Sequence, residues 1–385
     1  MRLLEILPIG FAIFTMLFGA GNVVFPLELG RDTGAMVWFA LVGLVITGVM
    51  VPLLGLVSSA LYNGDYKKFF GSTGKIPGFF LSLICMLLIG PFGATPRCIT
   101  VAYASVQWHL PKLSLFIFSL FVGAITLIAT LKKRYIVELF GRVLGPIKIL
   151  LLLSIIILGL LSPTVPKEVL FTPFESFLKG FKEGYWTLDL LGTIFFSGLI
   201  VSSIRLHKRK DNLEYSNQEV AKIGLKAGLI GGVLLGIVYG GFCLLAAKLS
   251  GDIQHVGREQ LLSALATFIL GDRANILANT TVALACLTTA IALTAVFADY
   301  VAREIFFGRI KYRYALLFTV FLNVSMANLG FVGVSKLIEP VAVMCYPALI
   351  VLSVANLAFI FWKFKYTKFV TLSTLIATIF LHFIH

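Results

Sequence analysis

Residues 18–26 read FGAGNVVFP and lie within an apolar run, residues 7–30, that is long enough to cross a membrane. Two glycines and an asparagine interrupt this run at a depth where lipid offers the backbone no hydrogen-bond partner. A helix that opens there exposes carbonyl groups at the end of its first half and N–H groups at the start of its second half. Each unpaired group would be costly in lipid. The stretch is therefore expected to line a cavity that holds something polar.

The rest of the chain has the composition of an integral membrane protein. Of its 385 residues 59% are hydrophobic and 13% are charged, and the mean hydropathy is +0.97. About 20 apolar residues make one helical crossing. Runs such as IKILLLLSIIILGLL (147–161) are apolar on every side, so the sequence predicts an all-α polytopic protein. Eleven crossings are predicted, at 7–30, 36–62, 79–107, 113–131, 136–161, 184–205, 221–249, 275–302, 314–334, 336–362 and 367–384.

The net charge of +14 follows the membrane topology. With the N-terminus in the cytoplasm, 22 Lys and Arg residues fall on or near the cytoplasmic side, nine fall outside, and Arg97 lies in mid-membrane. This is the positive-inside pattern. The basic charge therefore indicates orientation in a lipid bilayer and gives no reason to expect a nucleic-acid partner.

The predicted crossings suggest one membrane domain over residues 1–385, built from two repeats. Even the longest loops, around 162–183, 206–220 and 250–274, leave no room for a soluble domain. Five crossings followed by a second set of five must be inverted, as in transporters that alternate access about a site at the midplane. The repeats would be 7–161 and 184–362, followed by an extra helix at 367–384. Glycines in LGTIFFSGLIVSS (191–203) interrupt the sixth crossing, the inverted partner of the first.

The opened first helix predicts a binding site for an amino acid. The carbonyls of Thr15 and Phe18 would lie at the negative end of the first half-helix and suit a cation. The N–H groups of Ala20 and Gly21 would begin the second half and suit a carboxylate. The amide oxygen of Asn22 would contribute to the cation. An amino acid is the simplest ligand that satisfies both ends.

A second polar cluster falls in LACLTTAIALT (284–294) of the eighth crossing. The carbonyl of Ala285 and the hydroxyls of Thr288 and Thr289 are spaced i, i+3 and i+4, so they share one helical face. Three such oxygens suit a monovalent cation. The alternative is that each threonine bonds back to its own helix, as membrane helices permit.

Two basic residues inside crossings are candidates for coupling or gating. Arg97 could face the substrate carboxylate, line the cytoplasmic vestibule or pair with a buried acid. Lys148 lies about 18 Å into the fifth crossing if the helix is regular. It could act as a tethered cation that titrates, or extend to the cytoplasmic surface. Solvated or capping roles are expected for four acids near helix ends, Glu28, Asp189, Asp299 and Glu339.

Several motifs, in order along most of the chain, resemble the BrnQ-type branched-chain amino acid:cation symporters. They are FGAGNVVFP, GPFGATPR (90–97), GYWTLDLLGTIFFSGLIVSSIR (184–205) and ACLTTAIALTAVFADY (285–300), with ANLGF (327–331) and CYP (345–347). The resemblance implies sodium-driven uptake of leucine, isoleucine and valine across a bacterial cytoplasmic (inner) membrane. It also implies a LeuT-like fold of five plus five helices with helices 1 and 6 broken. Twelve crossings are usual in that family.

The resemblance also assigns residues. Sodium symporters of this fold carry G-x-G-N on helix 1 and A-x-L-T-S on helix 8, similar to residues 19–22 and 285–289 here. This implies a Na⁺ site formed by Thr15, Phe18, Ala285, Thr288 and Thr289. The carboxylate would bind at Ala20 and Gly21. The broken part of helix 6 would be Phe195, Phe196 and Ser197, which together with Ala20, Gly21 and Asn22 would form the substrate-binding site.

The function expected from the sequence is secondary active symport by alternating access, with Na⁺ as the co-transported ion and no other cofactor. The alternative is a proton-coupled amino acid symporter of the same fold that uses Lys148 in place of sodium. No cluster of acids, histidines or a nucleophile with a base suggests an enzyme. A receptor that binds without transporting would differ by failing to accumulate its ligand.

Overall fold

The computed structural model describes residues 3–107, 109–131, 136–161, 171–209 and 216–384, and these residues form helices and short connections without a strand. Short 3₁₀ segments at Gly34–Met36 and Arg258–Gln260 and π-helical segments at Ile46–Met50, Phe140–Leu144 and Val301–Ile305 continue or join the helices. The α-helices are α1 (Leu3–Leu17), α2 (Ala20–Thr33), α3 (Val37–Val45), α4 (Val51–Leu61), α5 (Tyr66–Gly71), α6 (Lys75–Ile89), α7 (Ala94–Gln107), α8 (Leu115–Thr130), α9 (Ile136–Leu139), α10 (Gly145–Leu161), α11 (Pro173–Trp186), α12 (Asp189–Arg209), α13 (Asn217–Lys248), α14 (Leu261–Tyr300), α15 (Tyr312–Ala327), α16 (Gly330–Trp362) and α17 (Thr367–Ile384).

Eight helical stretches of the described residues are long and apolar enough to cross a membrane. They are Ala20–Leu61, Lys75–Gln107, Phe140–Leu161, Pro173–Leu206, Asn217–Lys248, Ala278–Ile305, Gly330–Trp362 and Thr367–Ile384. Some of these stretches continue through the turn between two helices; Ala20–Leu61, for example, has 42 residues. The predicted all-α polytopic class is confirmed, whereas the number of eleven crossings stays a prediction.

Helix α2 lies at the centre of the bundle, and nearly all of its residues are buried. It packs closely on α13: a Cβ atom added to Gly30 would lie 2.1 Å from the backbone oxygen of Cys243. Small residues at such contacts let two helix backbones approach in a membrane protein. By contrast, only Thr367 and Thr371 of α17 are buried, so this helix lies at the periphery.

The helix at FGAGNVVFP ends and restarts where the glycines predict. Helix α1 ends at Leu17 and α2 begins at Ala20, and between them Gly19 adopts an extended conformation with φ −125° and ψ −150°. The Asn22 side chain caps the restart, because its Oδ1 accepts a hydrogen bond of 3.0 Å from the Gly19 N–H. Pro26 lies inside α2, beyond the restart.

The interruption predicted at Phe195–Ser197 is wrong. Residues 189–209 form the single helix α12, and the Ser197 hydroxyl donates to the Ile194 carbonyl within it. The chain turns instead between α11 and α12, where Leu188 has a φ of 60°. Gly198 serves packing, because a Cβ atom on Gly64 would lie 2.6 Å from its Cα.

Two of the predicted loops are partly helical. Within 162–183, helix α11 begins at Pro173 after a capping box formed by Thr172 and Glu175. Within 250–274, α14 begins at Leu261 and changes direction at Gly271, whose φ of 71° is not helical. The described part of these segments therefore extends the helices α11 and α14.

Candidate functional site

The side chain of Lys148 ends among the polar groups that the sequence assigns to a cation. Its Nζ atom lies 2.5 Å from the Phe18 carbonyl oxygen and 3.1 Å from that of Thr15. It also lies 3.2 Å from the Thr288 hydroxyl and 3.4 Å from the Ala285 carbonyl oxygen. Lys148 is fully buried. Four oxygen atoms from α1, the residues after it and α14 thus surround one ammonium group.

Close packing of α10 on α1 brings Lys148 to this position. A Cβ atom on Gly145 would lie 2.9 Å from the Thr15 hydroxyl and 3.0 Å from the Phe11 Cβ. Lys148, three residues later on the same helix, therefore reaches the end of α1. The rings of Phe14 and Phe18 lie 5.9 and 5.2 Å from its Nζ atom. Of the two alternatives left open for Lys148, extension to the cytoplasmic surface is wrong, because its ammonium group is enclosed.

Thr289 completes the same cluster. Its hydroxyl donates to the Phe18 carbonyl at 3.0 Å and lies 3.5 Å from that of Thr15. Thr288 bonds back to Ala285 at 2.9 Å while also contacting Lys148. The structure therefore brings together all five residues predicted as Na⁺ ligands. It places the Lys148 ammonium among four of them.

A cavity lies directly beside this cluster, at the junction of α1 and α2. Its polar wall includes residues 19–22, Arg97 and Asp189, and Thr289 connects it to the Lys148 cluster. Its apolar wall includes Met16, Leu17, Ile89, Phe196 and Leu293. Ala20 and Gly21 begin α2 at this wall, so the positive end of the helix dipole faces the cavity.

Asn22 connects the cavity to a buried carboxylate. Its Nδ2 atom lies 2.9 and 2.8 Å from the two oxygens of Asp189, and Tyr239 donates its hydroxyl to Asp189 Oδ2 at 2.5 Å. Asp189 is only 2% exposed, so the expected solvated or capping role is wrong for it. Because the Asn22 amide oxygen caps Gly19, its predicted contribution to the cation is also not seen.

The expectation of a solvated or capping acid is also wrong for Glu28. This residue is 3% exposed, and its Oε1 pairs with Arg258 at 2.8 Å and with Arg31 at 3.6 Å. The pairs lie toward the far end of α2 from the cavity. Glu28 therefore joins α2 to the segment before α14.

Arg97 enters the cavity wall from α7. It is 2% exposed, its Nη2 atom donates to the Trp186 carbonyl at 3.1 Å, and its guanidinium lies 5.4 Å from the Phe25 ring centre. Its Nε atom has no hydrogen-bond partner. Arg97 thus lies in the wall of this cavity, and which of the three roles left open by the sequence it fills stays a prediction.

The three residues that the family resemblance assigns to the broken part of helix 6 lie in different surroundings. Phe196 lines the cavity. Phe195 instead packs on Tyr66 and Phe70, with ring centres 5.5 and 5.6 Å apart, and the Ser197 hydroxyl lies 2.6 Å from that of Ser59. The residues that sequence reasoning missed are Asp189 and Tyr239. An acid inside an apolar segment was the available signal for Asp189, whereas Tyr239 sits in a glycine-rich run that signals packing.

The chain is similar to known transporters along its whole length. A family model described as "Branched-chain amino acid transport protein" matches residues 3–384. The branched-chain amino acid permease BraB of Bacillus subtilis is 32% identical over 381 residues, which cover 96% of this chain and 83% of the permease. A putative branched-chain amino acid carrier protein of Staphylococcus haemolyticus is 31% identical over 362 residues, covering 88% of this chain and 78% of the carrier.

Two solved structures share the fold. Mhp1, a nucleobase-cation-symport-1 family transporter in a closed conformation with bromovinylhydantoin bound, has a TM-score of 0.61 and 15% identity. The alignment covers 98% of this chain and 91% of Mhp1. A manganese transporter of Eremococcus coleocola has a TM-score of 0.57 and 15% identity, covering 99% of this chain and 86% of that transporter. These similarities establish a LeuT-like fold. The family match and the permease and carrier relatives together establish that the chain is a membrane transporter, not an enzyme, and that it belongs to the branched-chain amino acid transport protein family.

Proposed function

We propose that this protein carries branched-chain amino acids into a bacterial cell across the inner membrane, and that Lys148 makes this transport dependent on protons. The substrate class follows from family membership and from the cavity, which joins a polar wall to an apolar one. Leucine, isoleucine and valine fit that combination. Apolar contacts discriminate by only about 1–3 kcal/mol per methylene, so several aliphatic amino acids are expected to be accepted.

The observation that carries the coupling proposal is the set of four oxygens around the Lys148 ammonium. The sequence assigned these oxygens to Na⁺, and in the structure a cation that belongs to the chain sits between them. Unlike a bound ion, this cation cannot leave, but it can release a proton. Coupling to protons is therefore favoured over coupling to sodium at this position.

The proton on Lys148 would control how firmly α1 is held against α14. Hydrogen bonds from a charged donor are about twice as strong as neutral ones. While the ammonium is protonated, it ties the carbonyls of Thr15 and Phe18 to Ala285 and Thr288. Loss of the proton weakens these bonds and frees the end of α1 to move. Substrate would bind with its carboxylate at the N–H groups of Ala20 and Gly21 in the held state.

Alternating access is the movement that fits this arrangement. We propose two inverted units, residues 7–161 and 184–362, that rock about the cavity, with 367–384 outside this core and the N-terminus in the cytoplasm. The cavity would then open to one side at a time while the Lys148 cluster stays near the pivot.

Uptake by the purified full chain in liposomes tests the proposal. Radiolabelled leucine should accumulate when the lumen is made alkaline relative to the medium, with sodium absent from both sides. A sodium gradient at equal pH, with the membrane potential clamped, should give no accumulation. Accumulation that requires sodium and ignores the pH gradient would contradict proton coupling. Accumulation of none of the three branched-chain amino acids under either gradient would contradict the substrate assignment.

A further inference from the structure

We propose that Arg97 and Asp189 are the two charged anchors of the substrate, Arg97 for the α-carboxylate and Asp189 for the α-ammonium group. The inference rests on the proposed function, because it assigns the polar contacts of the same cavity. It goes further by requiring a zwitterion, a ligand with both charges on one carbon atom.

Both side chains line the cavity, Arg97 from α7 and Asp189 from the start of α12. Each is 2% exposed. They carry the two opposite charges of the cavity wall, because its other lining residues are uncharged. Any ligand that enters meets a positive and a negative group.

Neither charge has a close ion-pair partner among the described residues, although Arg97 and Asp189 attract each other at longer range. Asp189 is bonded by an amide and a hydroxyl, from Asn22 and Tyr239, and Arg97 by the Trp186 carbonyl. Within the part of the chain that the structure describes, the Arg97 Nε atom also has no hydrogen-bond acceptor. Removing a charge from water without a counter-charge is unfavourable. A zwitterion would provide each group with a counter-charge in direct contact.

The position of Arg97 fixes which end of the substrate it meets. Its guanidinium lies over Phe25, and the ring of Phe25 lies 3.3 Å from where a Cβ atom on Gly21 would be. Arg97 is thus beside the first turn of α2. The helix dipole and the guanidinium add to form one positive end, which suits the carboxylate.

The negative group of the cavity, the Asp189 carboxylate, belongs to a hydrogen-bond network between helices. Asp189 is held by Asn22 from α2 and by Tyr239 from α13, so an ammonium group that binds it contacts a network joining three helices. The aliphatic side chain would then lie toward Met16, Leu17, Ile89, Phe196 and Leu293. The ligand class that fits is a neutral aliphatic α-amino acid.

Ligands that lack one charge test each anchor separately. Binding of leucine, 4-methylpentanoate (no ammonium) and leucinamide (no carboxylate) is measured by isothermal titration on the purified full chain. Asp189→Asn should weaken leucine at least about tenfold, the loss expected for one charged hydrogen bond, and leave 4-methylpentanoate within about twofold. Arg97→Gln should weaken leucine similarly and leave leucinamide within about twofold.

A merely structural role for either residue would weaken all three ligands alike, and that result would overturn the anchors. Asp189→Glu keeps the charge and shifts it by one methylene. As for Asp189→Asn, it should weaken the binding of leucine and leave that of 4-methylpentanoate within about twofold. Wild-type protein that binds 4-methylpentanoate or leucinamide as tightly as leucine also overturns the proposal, whatever the variants do. Glu138→Gln, which changes a carboxylate 52% exposed on the surface, is the matched control and should change nothing. Wild type that binds none of the three branched-chain amino acids contradicts the proposed function instead.

Discussion

The Nζ atom of Lys148 lies 2.5 Å from the carbonyl oxygen of Phe18, the residue at which helix α1 has just ended. This contact joins α10 to the carbonyl end of an interrupted helix, where the helix dipole is negative. Because Thr289 donates to the same oxygen at 3.0 Å, α14 meets α1 at the same point. One ammonium group and one hydroxyl thus hold together three helices beside the cavity.

Replacing Lys148 should change the ion dependence of transport. In Lys148→Ala the carbonyls of Thr15, Phe18 and Ala285 lose their cation, so we expect leucine uptake without sodium to fall at least about tenfold, the loss of a charge-assisted bond network. The freed oxygens now suit a monovalent ion, and sodium should restore part of the uptake where choline does not. Liposome uptake in the two salts measures this.

The matched control is Lys226→Ala, an exposed lysine on α13. It should leave uptake and its ion dependence unchanged. Sodium-independent uptake by Lys148→Ala at the wild-type rate would show that the ammonium is not needed for transport.

The two neighbouring threonines should contribute separately. Thr288→Val removes a hydroxyl that contacts the Lys148 ammonium at 3.2 Å, and Thr289→Val removes the donor to the Phe18 carbonyl. Each loss should lower the free energy of unfolding by about 1–3 kcal/mol. Thermal melting in detergent ranks the stabilities of the two variants and the wild type. The rate of transport should fall together with the stability.

Thr280→Val serves as the comparison within the same helix. Its hydroxyl is exposed and bonds back to the Ile276 carbonyl at 2.7 Å. Its effect is expected within about 0.5 kcal/mol. Equal effects of all three changes would mean that the cluster at Phe18 adds nothing beyond ordinary helix bonding.

The sequence predicts those parts of the site that depend on local pattern. Two glycines and a capping asparagine mark the end of α1 and the start of α2, and the spacing of Ala285, Thr288 and Thr289 puts them on one face. Each of these two signals depends on residues that are only a few positions apart along the chain. What the sequence does not give is the partner of each group, because Lys148 meets Phe18 across 130 positions.

The sixth crossing shows the limit of glycine as a signal. Gly192, Ser197 and Gly198 suggested an interruption, but the chain turns at Leu188, which has a positive φ without being glycine. Tertiary packing holds that conformation against its local cost. Asp189 is the next residue after Leu188. Because the interruption was predicted several residues later, the burial of this acid was not predicted either.

Glycines at helix contacts allow a stability prediction with an internal control. A Cβ atom on Gly30 would lie 2.1 Å from the backbone oxygen of Cys243, whereas one on Gly236 would meet nothing within 4 Å. Gly30→Ala must therefore push α2 away from α13, and we expect little folded protein in the membrane. Gly236→Ala should be neutral or stabilise by up to about 1 kcal/mol, since alanine favours the helix. Size-exclusion profiles and melting temperatures compare the two.

Access to the cavity can be followed at Cys98, which lines it and is 2% exposed. In a variant with the other four cysteines changed to alanine, a small maleimide should label Cys98 slowly, because the cavity must open first. Leucine should slow the reaction further by filling the cavity. Glu304 accepts the Tyr66 hydroxyl and pairs with Lys67, each at 3.0 Å, so it joins the π-helical segment after α14 to α5.

Glu304→Gln weakens that contact with α5; if the contact limits opening of the cavity, we expect Cys98 in this variant to react several-fold faster while leucine still protects it. Glu138→Gln, whose carboxylate pairs with Arg142 at the surface, should leave the rate unchanged. Labelling rates measured by mass spectrometry distinguish the two. If the rate of Glu304→Gln equals that of the control, the Lys67–Glu304 pair does not limit entry. If leucine fails to protect Cys98 in any variant, the cavity beside Lys148 is not where the substrate binds.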